Sequence, residues 1–376
     1  MYHVREVADE PAELLHALRT GVPRQLRCAK IKLTSRCNLR CRMCRYWRTR
    51  DEASLSTGQW RGVLDQLRDL GCLKVHFSGG EVFLRADFLD LVEHASGLGM
   101  KVTLTTNATL LTPERIRRLV RARPSGVSSS LDGPRARIHD AVRGIPGSFR
   151  RTVRALRRLI EEARRRGQGP RVRLNFVLMQ QNYRHLPEML ELAAELGVAE
   201  VNPMPVDEKG ERRNRLSRAQ IRRYNREVAP GVLELRQRHG FSTAPELVYP
   251  FGVTEEEIRW SARGLYARGA YSDKPCLAPW MHLFLAWDGE AYLCCMTNQR
   301  MASLGNAARE SLGDIFLGPK MQAIRREFLA GSPHPACARC DMFLVENRLL
   351  HQALESFDRE FSGWTTPPDQ TSTPVK

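Results

Sequence analysis

An alternation that runs from residue 28 to residue 203 constrains the fold more than any other feature. Short apolar runs at 28–33, 73–77, 101–105, 126–131, 172–179 and 200–203 are separated by stretches whose apolar residues recur at helical spacing. Strands that alternate with helices pair in parallel through right-handed crossovers. Eight such units would close a full barrel, so six predict a partial (β/α)6 barrel of parallel strands, an α/β fold. In such folds the binding site lies at the carboxyl ends of the strands.

Local signals support the helices between the strands. Ser56 and Gln59 form a capping box that opens a helix running to Gly71, and Thr112 with Pro113 reads as an N-cap followed by proline at the first helical position. Further helices are expected at 11–19, 88–99, 149–166 and 186–196, and one opened by Ser217 and Gln220 is expected to run to about residue 238. On 149–166 the residues Phe149, Val153, Leu156, Ile160 and Ala163 form one apolar stripe, so the many arginines between them are its solvated face.

Directly after the first apolar run comes Cys37-Asn38-Leu39-Arg40-Cys41-Arg42-Met43-Cys44, a C-x-x-x-C-x-x-C spacing. Three thiolates do not complete a structural zinc site, whereas a four-iron cluster on three cysteines keeps one iron open to a further ligand. Near the C-terminus Cys276, Cys294 or Cys295, Cys337 and Cys340 form a second group, and on spacing alone zinc and an iron-sulfur cluster are equally matched there. Cys28 and Cys72 stand alone and read as small apolar packing residues.

The first spacing resembles the signature of the radical S-adenosylmethionine (SAM) superfamily. Ser78-Gly79-Gly80-Glu81, Thr105-Thr106-Asn107-Ala108-Thr109, and Ser130-Leu131-Asp132-Gly133-Pro134 with His139-Asp140 and Arg143-Gly144 follow successive strands in the order that the family uses. Met43 stands where the family usually has an aromatic residue, and Val82 where it often has proline; both keep an apolar contact. The resemblance implies that Cys37, Cys41 and Cys44 hold a catalytic 4Fe-4S cluster whose open iron binds SAM. It implies that Gly79, Gly80 and Glu81 meet the methionine amino group, and that Ser130 and Arg143 lie where relatives bind the SAM carboxylate and ribose. Asn107 and Asn175 lie at or near strand ends, where they serve either substrate and SAM or the strand termini.

The stretch Cys276-Leu277-Ala278-Pro279-Trp280, Gly289 separated from Cys294 by four residues, and Leu304-Gly305-Asn306 resemble the auxiliary-cluster extensions called SPASM and twitch domains. Four cysteines imply one fully ligated second 4Fe-4S cluster on Cys276, Cys294, Cys337 and Cys340, the shorter twitch arrangement. Residues 281–286 and 291–296 read as a hairpin turning at Asp288-Gly289. Alternation along its second strand would then turn Cys294 to the metal and Cys295 away.

Ten cysteines could mean a secreted disulfide framework, but residues 1–24 mix acids and arginines without an apolar run, and 277–287 is too short to span a bilayer. A cytoplasmic protein with no membrane partner is expected, one whose clustered thiols bind metal. The net charge of +17 raises nucleic-acid binding, which the absence of base-reading motifs disfavours.

The expected division is an N-terminal helical segment at 1–26, the barrel at 27–206 and a helical linker or cover over the barrel mouth at 207–274. A small cysteine-rich α+β extension of hairpin plus helix follows at 275–350, then a helix end and tail at 351–376, with 365–376 disordered. The resemblance implies reductive cleavage of SAM and hydrogen abstraction from a small-molecule substrate, such as a sugar or cyclitol alcohol, or from a ribosomal peptide. It also implies an electron donor such as a flavodoxin or ferredoxin. The segment ahead of the first strand is under thirty residues, too short for a leader-binding winged helix, so a peptide substrate is expected to use a separate carrier or no leader. The rival reading is a zinc-dependent structural or nucleic-acid-binding protein.

Overall fold

The structure, a computed structural model, describes residues 10–49, 54–208, 213–271, 274–341 and 343–361. The tail expected at 365–376 lies outside the described residues. Strands β1 (Cys28–Lys32), β2 (Lys74–Ser78), β3 (Lys101–Thr106), β4 (Gly126–Ser130), β5 (Arg171–Leu178) and β6 (Glu200–Pro205) pair in parallel, in sequence order. Helix α1 (Pro11–Thr20) precedes them. Between them run α2 (Thr57–Asp69), α3 (Phe88–Gly97), α4 (Pro113–Arg121), α5 (Ala136–Arg143), α6 (Ser148–Arg165) and α7 (Leu186–Leu196). The Ser56/Gln59 box and the Thr112 cap form as expected.

The period of two along each strand divides the sheet into two chemistries. Val75, Phe77, Val102, Leu104, Val127, Val172, Leu174 and Phe176 are buried in the core that the helices cover, each such side chain worth roughly 1.5–3 kcal/mol relative to exposure. Most intervening positions are polar: both ring nitrogens of His76 meet hydroxyls, Thr103 Oγ1 at 2.9 Å and Thr105 Oγ1 at 3.0 Å. Asn202 Nδ2 likewise donates to Asn175 Oδ1 at 3.2 Å.

The C-terminal region continues this same sheet. Strand β7 (His282–Leu285) lies parallel to β1, pairing Cys28 with His282 and Ile31 with Leu285; β8 (Glu290–Tyr292) and β9 (Gly305–Asn306) follow antiparallel. The sheet therefore has nine strands in the order β6-β5-β4-β3-β2-β1-β7-β8-β9. Gly289 takes φ +85° in the turn between β7 and β8, a conformation that costs glycine nothing.

Residues 213–271 are mainly helical. α8 (Arg218–Arg223) opens on the Ser217/Gln220 box, but the single helix expected to about residue 238 is interrupted by a π-helical turn, Tyr224–Val228, before α9 (Ala229–His239). Pro230 accounts for the break, because it has no N–H for the i to i−4 ladder and its ring crowds the preceding turn. α9 packs beside α7, and its fully buried Arg236 donates to Glu200 at 2.9 Å and to the carbonyls of Ser242 and Val201. α10 (Glu255–Ala262) starts at a Thr254/Glu257 capping box, and α11 (Leu312–Leu317), α12 (Pro319–Leu329) and α13 (Leu344–Phe361) follow. No helix among the described residues is long and apolar enough to cross a membrane.

Candidate active site and auxiliary cysteine centre

The first cysteine loop leaves the carboxyl end of β1 and is clamped from two sides. On one side Gly80 N–H donates to Thr34 O at 2.7 Å and Glu81 N–H to Arg36 O at 2.8 Å. A Cβ on Gly80 would lie 2.1 Å from Arg36 O, and one on Gly79 would lie 2.9 Å from Thr34 O. The glycine pair is thus demanded first by the chain's own backbone, whatever else it meets. On the other side Arg40 N–H and Arg42 N–H donate to the last carbonyls of α5, Arg143 O and Val142 O, each at 3.0 Å. Gly144, with φ +71°, lets that helix end pass Arg40 O, where a Cβ would come within 2.4 Å.

This clamp gathers the three thiols. Cys41 is buried, while Cys37 and Cys44 are half-buried. Burial pushes the Cys37 thiol up to about 11; the Leu39 N–H opposes this, and Cys41, Glu81 and Cys44 add to it. Cys41 is also raised by burial, with Arg143 opposing.

The remaining motif residues brace this loop or lie close by. Glu81 is buried and accepts hydrogen bonds from Thr106 Oγ1 and Asn107 N–H, both at 2.7 Å, and from Phe83 N–H at 3.1 Å. Burial raises its pKa against those donors. Asn107 donates from Nδ2 to Asn38 Oδ1 at 2.8 Å, tying the end of β3 to the cysteine loop, while its Oδ1 accepts from Thr109. Ser130 and Asn175 are register partners on β4 and β5, and among the described residues neither is hydrogen-bonded to a thiol.

Arg143 reaches inward from α5. Its Nη1 donates to Cys41 Sγ at 3.4 Å, and its Nη2 is ion-paired with the fully buried Asp132 Oδ2 at 2.6 Å. Asp132 is fixed in turn, accepting Val177 N–H at Oδ1, and its own N–H donates to His139 Nδ1. Burial works against the guanidinium charge, yet Asp132 and the thiols hold its pKa above the usual range. Arg143 Nε and His139 Nε2 are buried without a hydrogen-bond partner. A leftover buried donor beside three thiols suits an anionic group, so these residues fit a cluster that carries a carboxylate-bearing ligand. Asp132 and Asn38 were not singled out as site residues from sequence. Asp132 sits within the quoted Ser130–Pro134 motif, but nothing local reveals its partner 11 positions on.

Cysteines of the second group lie near one another in the fold. Cys276, Cys294, Cys337 and Cys340 are buried; Cys337 feels Cys294, Cys294 feels Cys276 and Cys276 feels Cys337, and Cys340 N–H donates to Cys337 O at 3.1 Å. Burial pushes Cys276, Cys294 and Cys337 up to about 12. The donor set fits a metal centre because binding would replace three costly buried protons. Among the described residues no three His, Cys, Asp or Glu side chains converge tightly enough to hold one metal ion.

The reason given for choosing Cys294 over Cys295 has to be corrected. β8 ends at Tyr292, so neither residue is on a strand and alternation does not apply. A turn takes over: Thr297 Oγ1 donates to Cys294 O at 2.9 Å and accepts Cys294 N–H at 3.0 Å. That turn buries Cys294, while Cys295 is half-buried and packs both against the main core and against the group of Phe284, Ala286 and Trp287. Sequence reading also missed Asn347 and Tyr271. Asn347 Nδ2 lies 3.4 Å from Cys276 Sγ and 3.4 Å from Tyr271 Oη, and its Oδ1 accepts Leu277 N–H at 2.7 Å. For Asn347, a lone polar residue on a helix with apolar neighbours was the available signal.

Two sets of contacts link the barrel to the C-terminal region. Tyr46, two residues past Cys44, carries Lys32 Nζ 3.1 Å above its ring, packs edge-on to Trp287 at 6.0 Å, and accepts Asn298 Nδ2 at 3.0 Å. Asp207 receives Arg300 at 2.6 Å and Arg339 at 3.2 Å.

Comparison with known proteins agrees with this anatomy. Residues 31–193 match the family model described as the radical SAM superfamily, and residues 276–341 match SPASM, an iron-sulfur cluster-binding domain. The AdoMet-dependent heme synthase of Methanosarcina barkeri is 34% identical over 168 residues, 44% of this chain and 46% of that protein. The PqqA peptide cyclase of Rhodopseudomonas palustris is 37% identical over 168 residues, 44% of this chain and 43% of that protein. The matched stretch thus spans under half the length of these curated relatives. In fold, SuiB of Streptococcus suis bound to S-adenosylmethionine superposes with a TM-score of 0.65 at 18% identity, over 89% of this chain and 77% of SuiB. Two cysteine centres on a partial barrel, matched in order by two family models that together take in well over half its residues, place the chain in the radical SAM superfamily, with a C-terminal SPASM domain.

Proposed function

We propose that the chain reductively cleaves SAM and uses the resulting 5′-deoxyadenosyl radical to take a hydrogen atom from a carbon of a peptide or small natural-product substrate, ending in oxidation or bond formation. The observation that carries this reading is the clamped trio Cys37, Cys41 and Cys44 beside Arg143, whose buried Nε–H has no partner. Bound there, a three-cysteine 4Fe-4S cluster and SAM would supply the radical chemistry. The chain's part is to hold and orient. Arg143 would pair the SAM carboxylate. Gly79, Gly80 and Glu81 would border the methionine amino group, and Ser130, Asn107 and Asn175 would line the SAM or substrate side.

Cys276, Cys294, Cys337 and Cys340 would hold a second, fully ligated 4Fe-4S cluster. With no open iron, its use would be to accept the second electron of an oxidation and to hold the domain together. The named relatives include a peptide cyclase and a heme synthase at similar identity, so both substrate classes stand.

The experiment is metal content and stoichiometry. Anaerobically prepared protein should be brown, with roughly eight irons per chain. During an oxidation, 5′-deoxyadenosine should accumulate in proportion to product. Colourless protein carrying zinc would overturn the proposal, and product far exceeding 5′-deoxyadenosine would replace oxidation by isomerisation.

A further inference from the structure

Two polar side chains stand in the wall of the second cysteine centre and are not among its ligands. Tyr271 comes from the stretch just ahead of Cys276 and Asn347 from the first turn of α13, and both are buried, at 7% and 3% exposure. Polar groups so buried are held by hydrogen bonds. Asn347 Nδ2 lies 2.8 Å from Phe343 O, 3.4 Å from Cys276 Sγ and 3.4 Å from Tyr271 Oη. Tyr271 Oη in turn meets the sulfurs of Cys340 and Cys276.

The hydrogens available fix which way these bonds run. Leu277 N–H needs the amide oxygen of Asn347, 2.7 Å away, so Nδ2 is the end that faces the sulfurs. Of its two hydrogens Phe343 O takes one, and Cys276 Sγ and Tyr271 Oη share the other. Tyr271 Oη therefore accepts from Asn347 and keeps its own proton, since a phenol with an ordinary pKa of about 10 is protonated at neutral pH. Among the described residues no carbonyl or carboxylate takes that proton, which leaves the sulfurs. A metal-bound thiol is deprotonated and accepts it. Cys294, by contrast, is met by the backbone N–H groups of Thr297 and Met296.

We infer that the Tyr271 hydroxyl, oriented by Asn347, is a positioning group that raises the reduction potential of the second cluster and so fits it to accept an electron. The inference rests on the proposed function, which puts a fully ligated 4Fe-4S cluster on these four cysteines. Reduction adds one electron and makes the cluster with its thiolates one unit more negative. Burial opposes that added charge, and hydrogen bonds to the sulfurs favour it. A donor aimed at sulfur is worth more after reduction than before, so losing it makes the cluster harder to reduce.

The test uses the full chain with Cys37, Cys41 and Cys44 replaced by alanine, so that a redox titration reads the second cluster alone. Dithionite supplies the electrons through redox mediators, and the reduced cluster is followed by electron paramagnetic resonance. Tyr271→Phe removes the hydroxyl and leaves the ring. Tyr224→Phe is the control, losing a buried hydroxyl bond to Val248 O at 2.9 Å. In Tyr271→Phe the iron content should hold while the equilibrium constant for reduction falls about tenfold, a potential about 59 mV more negative. Tyr224→Phe should titrate with the parent. After exchange into deuterium oxide, electron–nuclear double resonance should show a deuteron coupled to the reduced cluster that Tyr271→Phe lacks. An unmoved potential in Tyr271→Phe, or an equal shift in Tyr224→Phe, would overturn the inference. So would loss of iron from Tyr271→Phe, which would make the tyrosine a structural support. Zinc without iron on the four cysteines would overturn the proposed function as well, so metal content tells the two failures apart.

Discussion

Replacing Arg143 by glutamine should cost the fold far more than an ordinary loop substitution, and the loss should depend on pH. Asp132 is fully buried, with one carboxylate oxygen on Val177 N–H and the other 2.6 Å from Arg143 Nη2. Removing one member of a buried pair strands the other charge, at about 3–5 kcal/mol. The double variant Arg143→Gln, Asp132→Asn should lose less than the sum of the singles. Burial already raises the Asp132 pKa and Arg143 is the main force opposing it. Without Arg143 the folded-state pKa climbs further above the unfolded value, so the folded state takes up more protons than the unfolded one. Stability then rises as pH falls through the folded pKa. The deficit of Arg143→Gln relative to wild type should therefore be largest near pH 8 and shrink towards pH 5, measured by urea unfolding followed by far-ultraviolet circular dichroism. A deficit that grows in acid, or a double variant as damaged as the sum of the singles, would refute the pairing.

Gly80→Ala should disturb the cysteine loop, because the new Cβ would lie 2.1 Å from Arg36 O; the expected cost is at least about 1–3 kcal/mol, with loss of the iron held by the first centre. Cys294→Ala should strip about half the iron while Cys295→Ala leaves it near wild type, read by iron assay, since only Cys294 is buried among the other three thiols. Asn347→Ala should lower stability by about 1–3 kcal/mol and loosen the second centre, because Leu277 N–H loses its acceptor; thermal unfolding with iron content reads both.

The barrel strands were legible because each carries its own period, and the observed ends fall within about two residues of those expected. Capping boxes did the same for α2 and α8, whose signals lie within four residues of each other. What stayed hidden depends on distant contacts. Nothing in 282–285 says that this strand will lie beside β1, some 250 residues earlier, and the Cys294 turn is fastened by a Thr297 hydroxyl, beside its backbone hydrogen bonds, that strand periodicity does not register. The glycine pair was recognised as a site of close approach, but the backbone it approaches is that of Thr34 and Arg36, in the cysteine loop itself. Arg143 was marked by its motif, and only the fold reveals the carboxylate and the thiol it reaches.

The central claim is that the centre on Cys37, Cys41 and Cys44 does the chemistry and the four cysteines of the second group do not. It is tested most directly by replacing those three together with alanine, reconstituting the protein anaerobically, reducing it and assaying SAM cleavage. Wild type should release 5′-deoxyadenosine and methionine, while the triple variant should release neither and still keep about half the iron on Cys276, Cys294, Cys337 and Cys340. SAM cleavage that survives in the triple variant would contradict the account.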